Sequence, residues 1–486
     1  MNQDTSRDAQ WRVELRQRIN PKERTAIDRV VMPQLDPAYR ITCNEEVNQG
    51  ITAEQAMTEA TRCLDCNNPQ CVTGCPVGID IPGFIKRIEC GQFGEAAATI
   101  KLTSSLPAVC GRVCPQEKQC ESRCLHNKMK RPPVAIGYLE RFAADWQLAN
   151  EDESSQAAPA VSPDAPRVAV VGSGPAGLSF AGDMAKRGFR VTVFEALHEI
   201  GGVLKYGIPE FRLPNRIVDH EIDGLRRMGV EFVTNCLIGR TLTIDDLREQ
   251  GYRGIFVASG AGFPRFMDIP GENLTGVMSS NEYLTRINLM EAGRGGDTPV
   301  MRGKVIAVIG GGNTAMDSAR TSLRMGAERV MLVYRRSEDE MPARREEVGH
   351  AREEGVEFMT LHNPVEYVGD DKGRLCAMRV QRMELGEPDA SGRRSPVPVP
   401  GAITEVPVDL VIVAVGVSPN QLVPSSVQGL EVSRRHTIVV DEETMCSNVS
   451  MLYAGGDIVR GGATVILAMG DGRRAAAAMA AQLQSE

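Results

Sequence analysis

After residue 166 the chain repeats one pattern: a short run of apolar and β-branched residues, a cluster of glycines, then apolar positions at helical spacing. RVAVVGSGPAGLSFAGDMAKRG is followed by RVTVFEA, and KVIAVIGGGNTAMDSARTSLRMG by RVMLVYRR. Alternation of this kind predicts parallel strands joined by crossover helices. The two stretches resemble each other, so the chain reads as α/β with two Rossmann-like dinucleotide-binding domains, over 166–300 and 301–415. The remainder, 416–486, holds a strand run, MLYAGGD, and an alanine-rich helix, TVILAMGDGRRAAAAMAAQL. It is too short for a domain and is expected to complete the first unit, leaving the second inserted in it. Before the repeat, ITAEQAMTEATRCL and AIGYLERFAADWQLA carry apolar residues at helical spacing and predict a small all-helical domain over 1–150. The intervening NEDESSQAAPAVSPDAP lacks periodicity, and 151–165 reads as a linker.

In the first repeat Gly172, Gly174 and Gly177 form G-x-G-x-x-G between strand and helix, with Pro175 and Ala176 inside the motif. The first glycine permits a tight turn, the second a close approach to pyrophosphate, and the third close packing of helix on strand. The diphosphate is then expected on the amides that open the helix. Glu195 ends the next strand, where a carboxylate accepts from an adenosine ribose and repels a 2′-phosphate, so this site suits FAD or NAD. GGVLKYGIPEFRLP, with Gly202, Leu204 and Arg212, lies just beyond and is expected to border the site. Near the C-terminus, Gly456 and Asp457 follow a strand, and an aspartate there can bond the hydroxyls of a flavin ribityl chain. The helix beginning near Thr464 would aim its positive end at a reduced flavin.

The second motif is Gly310, Gly312 and Ala315, with Asn313 and Thr314 opening the helix. Its next strand ends in Arg335 and Arg336 instead of a carboxylate. Guanidinium groups there fit a 2′-phosphate, which points to NADPH. A solvated basic pair at a strand end is the alternative.

Of thirteen cysteines, ten precede residue 125. Cys63-x2-Cys66-x4-Cys71-x3-Cys75-Pro76 and Cys110-x3-Cys114-Pro115-x4-Cys120-x3-Cys124 lack the paired knuckles of zinc ribbons and resemble iron–sulfur spacing. In two-cluster ferredoxins the cysteine before a proline serves the other cluster. On that logic Cys63, Cys66 and Cys71 share one [4Fe-4S] cluster with Cys124, while Cys75 joins Cys114 and Cys120 in a second. The fourth ligand of the second cluster is Cys110 or a carboxylate such as Glu140. Zinc, or thiols without a ligand, are the competing readings. Cys43 and Cys90 read as bystanders.

Composition narrows the class further. A net charge of −8 argues against nucleic acid as partner. No signal-peptide core and no stretch near the roughly 20 apolar residues of a membrane span are present, so a cytoplasmic protein is expected. Nicotinamide exchanges two electrons as hydride, clusters exchange one at a time, and a flavin does both, so the combination reads as an electron converter.

Taken together, CxxCxxxxCxxxCP, CGRVCPxxxxCxxxC, GSGPAGL, YGIPEFRLP, GGGNTAMD, VYRRSEDEMPARREE and YAGGD resemble the small (beta) subunit family of NADPH-dependent glutamate synthase over nearly the whole chain. The same module is similar to the N-terminal half of dihydropyrimidine dehydrogenase and to the flavin and iron–sulfur subunit of the bifurcating NADH-dependent ferredoxin:NADP oxidoreductase. The resemblance implies hydride transfer from NADPH to FAD, then single electrons through the clusters to a partner. That partner is the large glutamate synthase subunit or a ferredoxin-type acceptor, in a hetero-oligomer. In the dehydrogenase relatives a side-chain amide replaces one cysteine ligand, and Glu140 stands at that position. The resemblance also implies that Arg344 helps Arg335 and Arg336 hold the 2′-phosphate.

No catalytic acid or base is apparent. The chain starts MNQ, without a cysteine nucleophile, and ends too soon for a substrate barrel of about 250 residues, so glutamine hydrolysis and 2-oxoglutarate reduction are expected elsewhere. Two other classes compete. A flavin-linked disulfide reductase needs a cysteine pair, whereas Cys236, Cys376 and Cys446 stand apart. A zinc-bound docking module on an inactive body would contain no flavin.

Overall fold

The computed structural model describes residues 6–150, 161–292, 297–390 and 392–485. The linker expected at 151–165 lies largely outside them.

Short helices make up the N-terminal region, and their ends are written in the sequence. Asn20 and Glu23 close one capping box, Thr52 and Gln55 another, and Asp80 caps Ile81–Glu89 through the amide of Gly83. Each such cap stabilises by about 1 kcal/mol. Phe84, Ile85, Ile88, Ile100, Val109 and Leu139 are buried between these helices. Their core is continuous with that of the first nucleotide-binding sheet. The helical region is therefore docked tightly on that unit.

The first parallel sheet runs Leu452–Ala454, Tyr252–Val257, Arg167–Val171, Arg190–Phe194, Glu231–Val233. The C-terminal strand pairs with Tyr252–Val257, so the end of the chain does complete the first unit. The helix Val465–Ser485 then lies along Pro175–Lys186. Their contact requires a small residue: a Cβ on Gly472 would sit 2.4 Å from the carbonyl oxygen of Ala176.

The second parallel sheet runs Val277–Ser279, Leu410–Val413, Val305–Ile309, Arg329–Tyr334, Glu357–Thr360. This corrects the expected boundary at 300. The chain leaves the first unit at Phe263–Pro264 and returns at Val417–Ser418, two segments that pair antiparallel. The short strand Val277–Ser279 lacks the long apolar run that marks its neighbours, which is why its membership was not readable. A second departure is the antiparallel sheet of His362–Gly369, Leu375–Pro388 and Arg394–Pro407, which covers one face of the second parallel sheet. Prolines and exposed alternate positions disguise these strands. Among the described residues no helix is long and apolar enough to cross a membrane.

Candidate functional site

A cavity of about 480 Å³ opens between the two nucleotide-binding units. The first glycine turn forms one wall. Gly172 has φ +103°, and a Cβ there would lie 2.5 Å from the carbonyl oxygen of Ala258, so only glycine fits. Gly174, Pro175 and Ala176 line the cavity, whereas Gly177 packs against the turn itself. The carboxylate of Glu195 accepts from the amide and hydroxyl of Ser173, at 2.9 and 2.5 Å, and from the amide of Leu197 at 2.9 Å. It is thereby fixed at the turn where a ribose would lie. Gly202 faces Gly174 across the wall.

The opposite end is built from Gly456, Asp457 and Thr464. Asp457 accepts from the amide of Ala463 at 2.9 Å, and burial pushes its carboxyl up. Behind it Asp471, fully buried, accepts from the amide of Gly456 and from Arg460 and Arg474. Sequence reasoning missed Asp471. An acid inside an alanine-rich apolar helix was the available signal, because such a charge survives only when paired.

Asn313, Thr314 and Asp317 reach the same cavity from the second unit. Gly310 makes their turn, with φ +144° and no room for a Cβ beside the carbonyl oxygen of Ala414. Gly312 precedes the helix Asn313–Arg324, and Ala315 is buried beneath it. Asp317 is fully buried, and burial, offset in part by Arg212, pushes its carboxyl up to about 6. It also went unpredicted, although it lies one helical turn after Asn313 on the same face.

Three expected residues are placed otherwise. Leu204 is packed in the core and does not line the cavity. Arg212 touches the cavity, but its guanidinium is engaged by Asp317 at 2.8 Å and Glu347 at 3.5 Å, across the boundary between the two units. Arg344 does not join Arg335 and Arg336. It is buried against the carbonyl oxygen of Arg112, Gln116 and Glu346, because the segment Met341–Arg344 folds back over the glycine turn and onto the helical region. Lys118 fastens that segment through the carbonyl oxygens of Pro342 and Ala343. At the strand end, Arg335 is exposed, while Arg336 is held by Asp389 at 2.7 Å and the carbonyl oxygen of Arg394.

The cysteines separate into two groups. Cys63, Cys66, Cys71 and Cys124 line one cavity of about 100 Å³ with Ile81, Ile85 and Val134. The loop bearing them is pinned by Asp65, whose buried carboxylate is gripped by Arg12 and Arg16. Burial pushes the Cys63 thiol up to about 11, and raises Cys66 and Cys71 as well.

Cys75, Cys110, Cys114 and Cys120 gather with Glu140 deeper inside. Burial pushes Cys75 up to about 11, and Glu140 and Cys114 add to it. Glu140 is buried, its Oε1 has no hydrogen-bond partner, and desolvation pushes its carboxyl up to about 8. Ionising this carboxyl without a partner would cost several kcal/mol, so it keeps its proton unless a positive charge lies beside it. The Cys110 thiol contacts the Met469 sulfur at 3.4 Å, and the neighbouring Cys114 together with burial pushes it up. Among the described residues no three His, Cys, Asp or Glu side chains could hold a single metal ion. The outer group surrounds a volume instead of a point, which fits a polynuclear cluster.

The two systems meet. Val113 and Pro115, which flank Cys114, line the large cavity, and Gln119 donates to Thr464 at 3.4 Å.

Comparison with known proteins agrees with this division. Residues 40–152 match the model described as dihydropyrimidine dehydrogenase domain II, 4Fe-4S cluster, and residues 166–480 match pyridine nucleotide-disulphide oxidoreductase. The glutamate synthase [NADPH] small chain of Halomonas elongata is 38% identical over 441 residues, covering 88% of this chain and 91% of its own. That of Escherichia coli K12 is 37% identical over 440 residues, covering 89% and 92%. The NADP(+)-dependent formate dehydrogenase subunit beta of Moorella thermoacetica is 40% identical over 430 residues, 84% of this chain but only 59% of that longer one. Among solved structures, FprA of Mycobacterium tuberculosis in complex with NADPH shares the fold, with TM-score 0.55 and 20% identity over 66% of this chain and 85% of its own. The chain therefore belongs to the glutamate synthase small-chain family, as an NADPH-dependent oxidoreductase that joins flavin and iron–sulfur electron transfer.

Proposed function

We propose that the chain is the NADPH-oxidising subunit of a glutamate synthase, serving a larger partner that makes L-glutamate from L-glutamine and 2-oxoglutarate in the cytoplasm. FAD belongs on Gly172, Gly174, Glu195, Gly202 and Asp457, and NADPH on Gly310, Gly312, Asn313 and Thr314 with its 2′-phosphate at Arg335. The flavin supplies the exchange between hydride and single electrons. One observation carries the reading: a single cavity is walled by both glycine-turn helices and by the residues flanking Cys114.

The chain's own groups prepare this chemistry. Glu195 is locked by Ser173 to receive ribose hydroxyls, and Asp457 is aligned by the Ala463 amide. Arg212, clasped by Asp317 and Glu347, fixes the two units against each other and so holds the facing surfaces at a set distance. Two [4Fe-4S] clusters are assigned, an inner one on Cys75, Cys114, Cys120 and Glu140, and an outer one on Cys63, Cys66, Cys71 and Cys124. The Glu140 oxygen without a hydrogen-bond partner favours it over Cys110, whose thiol is turned to the Met469 sulfur.

The flavin and iron–sulfur subunit of a ferredoxin:NADP oxidoreductase is the second reading, since the two share every motif. Isolation of the native complex separates them: a large glutaminase-bearing partner supports the first, a small cluster-containing flavoprotein the second. Coenzyme choice is tested by Arg335→Ala. Its KM for NADPH should rise about tenfold with NADH unaffected, as expected for loss of one charge-assisted phosphate contact. An unchanged KM would remove Arg335 from the site.

A further inference from the structure

The outer cysteine group opens to the surface beside Arg123 and Lys128, which line its cavity. The adjoining segment exposes Leu125 and Met129, at 41% and 42%, together with Lys130 and Arg131. From Arg123 to Arg131 the sequence contains four lysines and arginines and no acid, in a chain of net charge −8. Among the described residues none of these four cations has a carboxylate partner. Nearby acids are spent elsewhere: Asp65 lies under Arg12 and Arg16, and Glu121 is bound to Arg29. The segment is also firmly held. Asn127 donates to the carbonyl oxygens of Glu121 and Ser122, at 2.8 and 3.1 Å, and the amide of Arg131 donates to that of His126 at 3.0 Å.

An apolar pair flanked by cations without carboxylate partners, on a firmly held backbone at the mouth of the proposed outer cluster, has a specific meaning. Charge of one sign concentrated there steers encounter with a partner of the other sign, and the apolar centre supplies contact once water is expelled. We propose that this face docks the electron acceptor, and that the acceptor is a protein carrying carboxylates around its own one-electron centre. The inference rests on the proposed outer cluster being the exit. Each NADPH then yields NADP⁺, one proton and two electrons, which leave one at a time through the outer cluster to the acceptor.

The test uses the full-length, cofactor-loaded protein and a Lys130→Glu/Arg131→Glu variant. An acidic [2Fe-2S] ferredoxin and basic cytochrome c serve as protein acceptors, and a small neutral quinone as control. With ferredoxin, the wild-type rate should fall about tenfold between ~20 and ~200 mM salt. The variant should lose about tenfold in rate and in calorimetric affinity for ferredoxin, gain with cytochrome c, and match wild type with the quinone. Equal ferredoxin affinity in the two proteins would overturn the proposal. So would binding of anionic lipid vesicles that is lost in the variant and not displaced by ferredoxin. If wild type binds ferredoxin as expected but NADPH does not reduce it, the exit reading fails while the docking surface stands.

Discussion

The two cysteine groups begin as similar strings of four and end as opposites. The outer group is all sulfur, and Cys66, Cys71 and Cys124 are part-exposed beside a basic rim. The inner group buries Cys110, Cys114 and Cys120, includes a carboxylate, and adjoins the nucleotide cavity. Position explains the difference. A charged ligand at the surface is stabilised by water, whereas a buried carboxyl keeps its proton unless the site supplies a positive charge. The comparison teaches that spacing alone assigns cysteines to a cluster type, while the packing of separate segments decides which cluster each one serves.

The largest effect should come from breaking either group outright. Cys114→Ser should lower iron from about eight to about four atoms per chain and abolish NADPH-driven reduction of the remaining cluster, because the inner site lies between it and the cavity. Cys71→Ser should lose as much iron yet leave the surviving cluster reducible. Iron analysis with low-temperature EPR reads both, and the order is reversed if Cys71→Ser alone blocks reduction.

Exchanging the contested ligands sharpens the contrast further. Glu140→Ala should lose most of one cluster, about half the iron, whereas Cys110→Ala should retain nearly all of it. Equal losses would mean that Cys110 is also a ligand.

A smaller effect is expected with pH. In iron-free protein the Glu140 carboxyl is raised from its ordinary value of 4.5 to about 8. Its folded form thus keeps a proton that the unfolded form releases. The resulting stability is present in full below about 4.5 and is lost as pH rises through about 8. Thermal melts from pH 5 to 8.5 should show a melting temperature falling by a few degrees in wild type and less in Glu140→Gln. Parallel curves would place the titration on another group. The outer cavity has no carboxylate in its lining, and its His126, held below the usual imidazole range by burial, contributes a slope of opposite sign, stability rising with pH.

Much of this was readable from local chemistry. The strand, glycine turn and helix at Arg167–Lys186 and Val305–Arg324 follow from apolar runs, a φ that only glycine accommodates, and helical spacing. The antiparallel sheet of 362–407 was not, because its long strands are half-exposed and interrupted by prolines. The resemblance alone implied a phosphate role for Arg344, and the fold instead turns its guanidinium toward the carbonyl oxygen of Arg112 and toward Gln116.

By itself the sequence determined the elements, the two coenzyme turns and the iron–sulfur character of the cysteines, since each depends on residues within a few positions of one another. The tertiary structure alone decided that Glu140 lies buried among Cys75, Cys114 and Cys120 with its Oε1 lacking a hydrogen-bond partner, and that Asp317 faces the cavity. It also decided that Arg123 and Lys128 line the mouth of the outer group. Those facts arise from burial and from contacts between distant segments, which no local pattern encodes.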